Sequence, residues 1–466
     1  MALLIRLAHL WLLQGSPLSS VLMGDARRYH EWASQVAKGD WLGQESFYQA
    51  PLYPYFIGAV YSIFGIEQAT VRIAQAILGA TSCVFLAMAG RRFFSPKTGL
   101  LAGGLFAVYA PAIFFDGILQ KTSLSSFLTC GVLALIASLA HRPRRPWVWA
   151  GLGFVLGALV LVRENALVLF ALMPIWLALG WGTLSRWNRL GWGACLLLGL
   201  AVVLFPVALR NRLVGGEWHL TTSQFGPNFY IGNSTYSNGR YMPLRQDRGD
   251  PAFERIDATE LAEKAEGRSL TPSEVSAFWT KVALDDIQSD WPRWFALMGR
   301  KWFLTWNATE IIDTEGIYAH SDASWILRCG LFVWHFGVLA PLGFLGIALA
   351  WTSWRRQGML LLFIGAYAAS VSLFYVFARY RFPLVPPLIL LAAAGVLRLP
   401  GLVRRRPDAR LALGLAGLLG MAVWTNWPGE PHDLMRSNTH YMLAINLERD
   451  GGQAEAIERE FELAEH

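Results

Sequence analysis

The chain has 466 residues, 54% hydrophobic and only 16% charged, with a mean hydropathy of +0.36. A soluble globular protein carries about 25% charge, so this composition excludes one and points to a polytopic membrane protein; its apolar runs are continuous and do not alternate, which leaves helices and excludes a barrel. The net charge of +7 comes as short arginine clusters between apolar runs, the pattern of membrane orientation and not of a nucleic-acid-binding face.

Met1 to Leu13 is apolar apart from Arg6 and His9, with no small-residue cleavage site before Asp25. We read it as an uncleaved first span, interrupted at Gly15-Ser16-Pro17. A stretch rich in aromatics and charge follows, Gly24-Asp25-Ala26-Arg27-Arg28-Tyr29 and on through Gln49-Ala50-Pro51-Leu52-Tyr53-Pro54. Runs of about 17–25 residues, long enough to span, fall near 70–90, 98–115, 117–140, 147–163, 165–184, 188–209, 325–351, 357–377, 382–398 and 409–425. With the first segment they make about eleven transmembrane helices, an all-α bundle. Every second connection is basic: Arg91-Arg92 with Lys97, Arg142 with Arg144-Arg145, Arg186 with Arg189, Arg355-Arg356, and Arg398 through Arg410. The positive-inside rule puts these in the cytoplasm. The first loop 15–69, the corners at Asp116, Arg163-Glu164 and Arg379-Tyr380-Arg381, the loop 210–324 and the tail after Trp424 then face outward. The 52–64 run is expected to lie at the outer interface, because a crossing there would invert this alternation.

The expected organisation is an N-terminal transmembrane module over 1–209, an extracytoplasmic loop domain over 210–324, C-terminal transmembrane helices over 325–426 and an extracytoplasmic tail over 427–466. Within the loop domain, Thr271-Pro272-Ser273-Glu274 reads as a helix start with Thr as N-cap. Trp291 to Trp306 reads as a helix returning to the membrane surface. Tyr441, Ala444, Leu447, Gly451-Gly452, Ala456, Ile457 and Phe461 suggest one helix-turn-helix unit. One unit alone buries no face, so it either docks elsewhere, on a protein partner for example, or belongs to a longer array.

Ionisable groups at membrane depth cost about 2.5–3.5 kcal/mol each, so those that persist need a reason. The outward set is Asp25, Asp116, Lys121, Arg163, Glu164, Arg210, Arg379 and Arg381. A mostly basic set with a few acids suits an anionic lipid-linked substrate. Asp25 reads as a general base or as a helix N-cap. Asp116 reads as a second acid or a turn residue. Lys121 reads as a phosphate ligand, a partner of Asp116, or a snorkelling lysine. Arg379 and Arg381 break the positive-inside pattern and read as phosphate ligands or headgroup anchors. Arg163-Glu164 reads first as an ion pair. The cysteines Cys83, Cys130, Cys195 and Cys329 form no metal-ligand spacing and no disulfide framework, and no phosphate-cradling glycine loop or ATPase signature is present. No metal and no cofactor is expected.

The order of Asp25, Tyr29, Gly39, Pro51-Leu52-Tyr53-Pro54, Phe64-Gly65, Arg72 and Gly90-Arg91-Arg92-Phe93-Phe94 resembles the GT-C fold glycosyltransferases of the protein O-mannosyltransferase and aminoarabinose transferase type. It is most similar to bacterial glycosyltransferase family 39 proteins with C-terminal tetratricopeptide repeats. Arg210-Asn211, Gly226 through Asn233, Trp306-Asn307 and Arg379-Tyr380-Arg381-Phe382-Pro383 fit the same resemblance. It implies a bacterial inner-membrane enzyme with its site on the extracytoplasmic side. Such an enzyme moves a sugar, with inversion, from a polyprenyl-phosphate donor to a lipid, glycan or protein hydroxyl. It also implies Asp25 as base, Asp116 as second acid, and substrate contacts from Tyr29, Gln49, Tyr53, Lys121, Arg163, Arg210, Asn233, Arg379 and Arg381. Relatives place a Glu where this chain has Lys121, a departure at the second acidic position. A lipid-linked glycan flippase is the competing reading, but it needs polar residues through the mid-membrane or internal repeats.

Overall fold

The computed structural model describes residues 1–141, 145–180, 185–246, 248–249, 251–351, 354–403 and 409–465. The basic residues Arg142, Arg144 and those at 404–406 lie outside the described residues. Among the described residues every regular element is a helix and none is a strand.

Helix α1 (Ala2–Leu12) leads to α2 (Asp25–Ala37) and α3 (Leu52–Phe64) of the first loop, then to α4 (Gln68–Phe93). Next come α5 (Pro96–Ala107), α6 (Ala110–Gly117), α7 (Thr122–His141) and α8 (Pro146–Val160). The expected run 165–184 is broken into α9 (Leu167–Ala171) and α10 (Met173–Gly180), ahead of the long α11 (Arg186–Gly215). The loop domain holds α12 (Phe225–Asn233), α13 (Pro251–Glu266), α14 (Pro272–Ser289) and α15 (Trp291–Trp306). Helices α16 (Ile317–Ala323), α17 (Trp325–Val333), α18 (Phe336–Ala350), α19 (Trp354–Ser372), α20 (Ala378–Arg381), α21 (Val385–Val403) and α22 (Ala409–Thr425) follow. The tail is α23 (His432–Arg449) and α24 (Ala454–Glu465).

Among the described residues four helices are long and apolar enough to cross a membrane: Gln68–Phe93, Thr122–His141, Arg186–Gly215 and Ala378–Gly401. The pairs α5/α6 and α17/α18, bent by 53° and 41°, bring the number to six if each is one span. Other runs of the expected eleven lie on shorter apolar helices, including Pro146–Val160 and the 13-residue α3. Proline and polar breaks divide what composition alone reads as continuous spans: α5 ends ahead of Pro111, and Pro174 falls in the first turn of α10.

Small residues let the helices approach closely, as membrane packing favours. Gly153 and Gly199 face the backbone of the opposite helix where α8 meets α11, leaving no room for a Cβ on either. Gly346 does the same where α18 meets α21. The start of α14 is the expected capping box, with Thr271 accepting from the Glu274 N–H and Glu274 from the Thr271 N–H. The tail hairpin docks on the chain itself: Leu443 packs with Leu18, Val21 and Met23, and Arg27 pairs with Asp450 at 2.7 Å. The first loop, the segment 307–316 and the tail thereby meet over one end of α6, α7 and α20.

Candidate active site

Helix α2 starts at Asp25, but its N-cap is Gly24, and no side chain caps it. Gly24 has φ +50°, a left-handed value open to glycine, and a Cβ there would lie 2.5 Å from Thr314 Oγ1. This glycine therefore lets the segment 307–316 rest against the first turn of α2. The cap reading of Asp25 gives way to an ion pair.

Arg379 holds the centre. Its Nη1 lies 2.6 Å from Asp25 Oδ2 and its Nη2 lies 2.8 Å from Asp313 Oδ2. Nη1 also donates to Gln120 Oε1 at 3.3 Å, and Gln49 Nε2 donates to Asp25 Oδ1 at 3.2 Å. The ring of Tyr380 lies under two guanidinium groups, Arg379 at 4.9 Å and Arg163 at 5.3 Å. Arg163 is tied to α7, donating to Thr122 Oγ1 at 2.9 Å and Ser125 Oγ at 3.4 Å.

Three buried donors here have nothing to bind. Lys121 is 7% exposed, and its ammonium makes no hydrogen bond or ion pair among the described residues, although the charges of Asp25, Arg163, Glu164 and Arg379 reach it. The hydroxyl of Tyr29, one turn after Asp25 and fully buried, is unpartnered, as is Arg379 Nε. Buried polar groups are ordinarily satisfied, so a cluster of orphaned donors around one arginine marks a place for an anion or a polar ligand.

A cleft opens beside the pair. Met23, Phe114, Phe115, Ile118, Leu119 and Ile317 give its apolar wall; Asp25, Glu310, Asp313, Glu315 and Arg379 give its polar one. The same arginine leaves its two carboxylates in different states. Burial pushes Asp25 up, but Arg379 and then Lys121 outweigh it and hold the carboxyl below its usual range. Burial pushes Asp313 up to about 6 against the pull of Arg379, with the Asp25 charge adding to the rise.

Residues 48–209, from the first loop through most of α11, match the family model described as dolichyl-phosphate-mannose-protein mannosyltransferase. Over 99% of its length the chain superposes on the apo oligosaccharyltransferase of Archaeoglobus fulgidus, with TM-score 0.51 and 13% identity. The fold is that of the GT-C glycosyltransferases. This GT-C chain spans 59% of the oligosaccharyltransferase. It is also similar to ArnT from Cupriavidus metallidurans bound to undecaprenyl phosphate, at TM-score 0.39 and 18% identity, covering 85% of this chain and 78% of that one. No curated protein sequence matches it.

On this GT-C frame the expected residues divide. Asp25, Tyr29, Gln49, Lys121, Arg163 and Arg379 come together. Tyr53 stands behind them: its ring meets Tyr29 edge-on at 5.1 Å and its hydroxyl donates to Gln75 Oε1 at 2.6 Å. Asp116 points away from the cleft, bonded to Arg6 Nε and to Ser123 Oγ at 2.6 Å each; Lys121 is not its partner. Arg381 holds the segment 305–310 by donating to the carbonyls of Thr305, Asn307 and Thr309 and pairing with Glu310 at 3.0 Å. Arg210 anchors the first loop, donating to the carbonyls of Leu42 and Glu45 beneath the Phe47 ring. Asn233 joins α12 to α15 and α19, accepting from Trp294 and Lys301 and donating to Leu373 O. Arg163 and Glu164 form no pair with each other: Glu164 accepts from Thr222 and Gln224, while Arg163 donates to Thr122 and Ser125.

Sequence reading missed Asp313, Glu310, Glu315 and Gln120. Three acids within six residues, between the aromatic helix ending at Trp306 and the apolar run from Trp325, were the available signal. Among the described residues no group of three His, Cys, Asp or Glu side chains is placed to hold a metal.

Proposed function

We propose that the protein is a membrane glycosyltransferase that moves a sugar from a polyprenyl-phosphate donor to a hydroxyl on an extracytoplasmic lipid, glycan or protein, with inversion. The observation that carries this reading is the buried Tyr29 hydroxyl and Arg379 Nε without partners, with a Lys121 ammonium that has none among the described residues, beside a carboxylate–arginine–carboxylate bridge and an apolar-walled cleft. Cleaving a sugar–phosphate bond places negative charge on the leaving phosphate. Lys121, Arg379 and Arg163 supply fixed positive charge for it where water is scarce, and preorganised charge of this kind is worth most in such a site. The cleft admits the acceptor from the other side, where the carboxylates on Arg379 wait for its proton. The family matched by residues 48–209 is described by a dolichyl-phosphate donor, which accords with this reading. The site faces the extracytoplasmic side of a bacterial inner membrane in this proposal, on the alternation of basic connections.

The test is release of polyprenyl phosphate from polyprenyl-phosphate mannose by purified protein, with polyprenyl phosphate affinity measured in parallel. Hydrogen bonds to charged groups are worth about 1.5–3 kcal/mol, so Lys121→Ala weakens affinity by on the order of tenfold to a hundredfold, and Tyr29→Phe by less. Unchanged affinity in both variants removes the donor assignment.

A further inference from the structure

The two carboxylates on Arg379 are not equivalent. Asp25 uses both oxygens, Oδ2 on Arg379 and Oδ1 on Gln49, and its side chain is 7% exposed. Asp313 uses only Oδ2; Oδ1 has no hydrogen-bond partner among the described residues, and the side chain, 21% exposed, lines the cleft. We propose that Asp313 is the carboxylate that takes the proton of the acceptor hydroxyl, while Asp25 stays ionised and holds Arg379 and the hydroxyl in line. This rests on the transfer reading above.

The segment that carries Asp313 is fixed from three sides. Ala378 N–H donates to Ile311 O at 2.8 Å. Arg381 donates to Thr309 O at 3.0 Å and pairs with Glu310. Thr314 packs on Gly24, where no Cβ intervenes. Asp313 is thus held beside the first turn of α2, as a group receiving a proton must be.

The charged groups facing Asp313 are Arg379 from α20, Asp25 from α2, Lys121 ahead of α7 and Arg163 after α8, with the Tyr241 and Tyr380 hydroxyls also in reach. Glu310 and Glu315 share its wall. Desolvation dominates this balance and sets its midpoint near 6. An acid of that strength is largely ionised at neutral pH, yet still basic enough to hold a proton through the transfer. In the step, the acceptor oxygen bonds to the anomeric carbon. The bond from that carbon to the phosphate oxygen breaks, and its electron pair leaves with polyprenyl phosphate. The acceptor's proton goes to Asp313 Oδ1 and then to water at the cleft mouth.

The experiment measures kcat/KM against pH for release of polyprenyl phosphate from polyprenyl-phosphate mannose, in wild type, Asp313→Asn and Asp25→Asn. Wild type falls away on the acid side with a midpoint near 6. Asp313→Asn loses that limb and drops by about 10²–10⁴-fold, the usual contribution of a positioned base. Asp25→Asn keeps the limb at lower pH, because removing a neighbouring negative charge and leaving Arg379 to Asp313 alone lowers the Asp313 midpoint. A limb lost in Asp25→Asn and kept in Asp313→Asn overturns the proposal. Should Asp313→Asn not fold, Asp313→Glu keeps a limb with a displaced midpoint, and an unmoved midpoint and rate overturns it. If wild type releases no polyprenyl phosphate, the function proposal fails separately, and an infrared titration decides the proton assignment. A carboxyl band titrating near 6 that vanishes with Asp313 supports it; one that vanishes with Asp25 overturns it.

Discussion

Asp25 and Asp116 each lie 2.6 Å from an arginine nitrogen, each is 5% exposed, and each sits at the end of an apolar segment. At Asp116 both carboxylate oxygens are taken, by Arg6 and Ser123, and its side chain fills the space over Gly79 so that no Cβ fits there. At Asp25 the arginine is shared with a second carboxylate, a cleft opens alongside, and among the described residues the Tyr29 hydroxyl and the Lys121 ammonium have no partner. Burial and a salt bridge are the same in both places, so neither identifies a site, as the weak link between buried ion pairs and function leads one to expect. Each arginine also keeps one buried nitrogen without a partner, Arg379 Nε and Arg6 Nη2, so the second carboxylate, the cleft and the nearby Lys121 ammonium are what separate the two corners.

The largest effect comes from breaking the shared arginine. Arg379→Ala leaves Asp25 and Asp313 buried without compensation, and stranding one partner of a buried pair costs about 3–5 kcal/mol. It should abolish transfer and lower the unfolding temperature together. Arg6→Ala strands one carboxylate, with a cost up to about 3–5 kcal/mol, yet the molecules that remain folded should still bind polyprenyl phosphate with wild-type affinity. Thermal unfolding with and without polyprenyl phosphate reads both. If polyprenyl phosphate stabilises wild type but not Arg6→Ala, the Asp116 corner is part of the proposed donor site and the contrast collapses.

The contrast was half legible in the sequence. The all-helical class, the capping box at Thr271, the aromatic helix over 291–306 and the gathering of Asp25, Lys121, Arg163 and Arg379 follow from runs, caps and the alternation of basic connections. The partner of Asp116 did not follow, because Arg6 lies 110 residues away within an apolar segment where a lone arginine reads as an orientation signal. Asp313 did not follow because its role depends on Gly24 admitting Thr314, a contact between two loops some 290 residues apart. Arg210 and Asn233 looked like substrate ligands in linear order; in three dimensions Arg210 donates to backbone carbonyls of the first loop, and Asn233 bonds a carbonyl and, within the loop domain, the Trp294 and Lys301 side chains.

The smallest expected effect tests how the tail touches the Asp25 corner. Arg27, two residues after Asp25 on α2, reaches Asp450 at 2.7 Å and Asn446 at 3.3 Å. The Asp450 side chain is 42% exposed, so the pair is partly screened, and exposed pairs are worth about 0.2–1 kcal/mol. The apolar contact of Leu443 with Leu18, Val21 and Met23 does the holding, since truncating a buried leucine to alanine costs about 2–5 kcal/mol. Asp450→Ala should therefore shift thermal stability by under about 1 kcal/mol and leave polyprenyl phosphate affinity unchanged. A loss of affinity in Asp450→Ala with stability intact would show that α2 is held in register by charge and not by packing. The Asp25 corner would then extend into the tail, as the Asp116 corner does not.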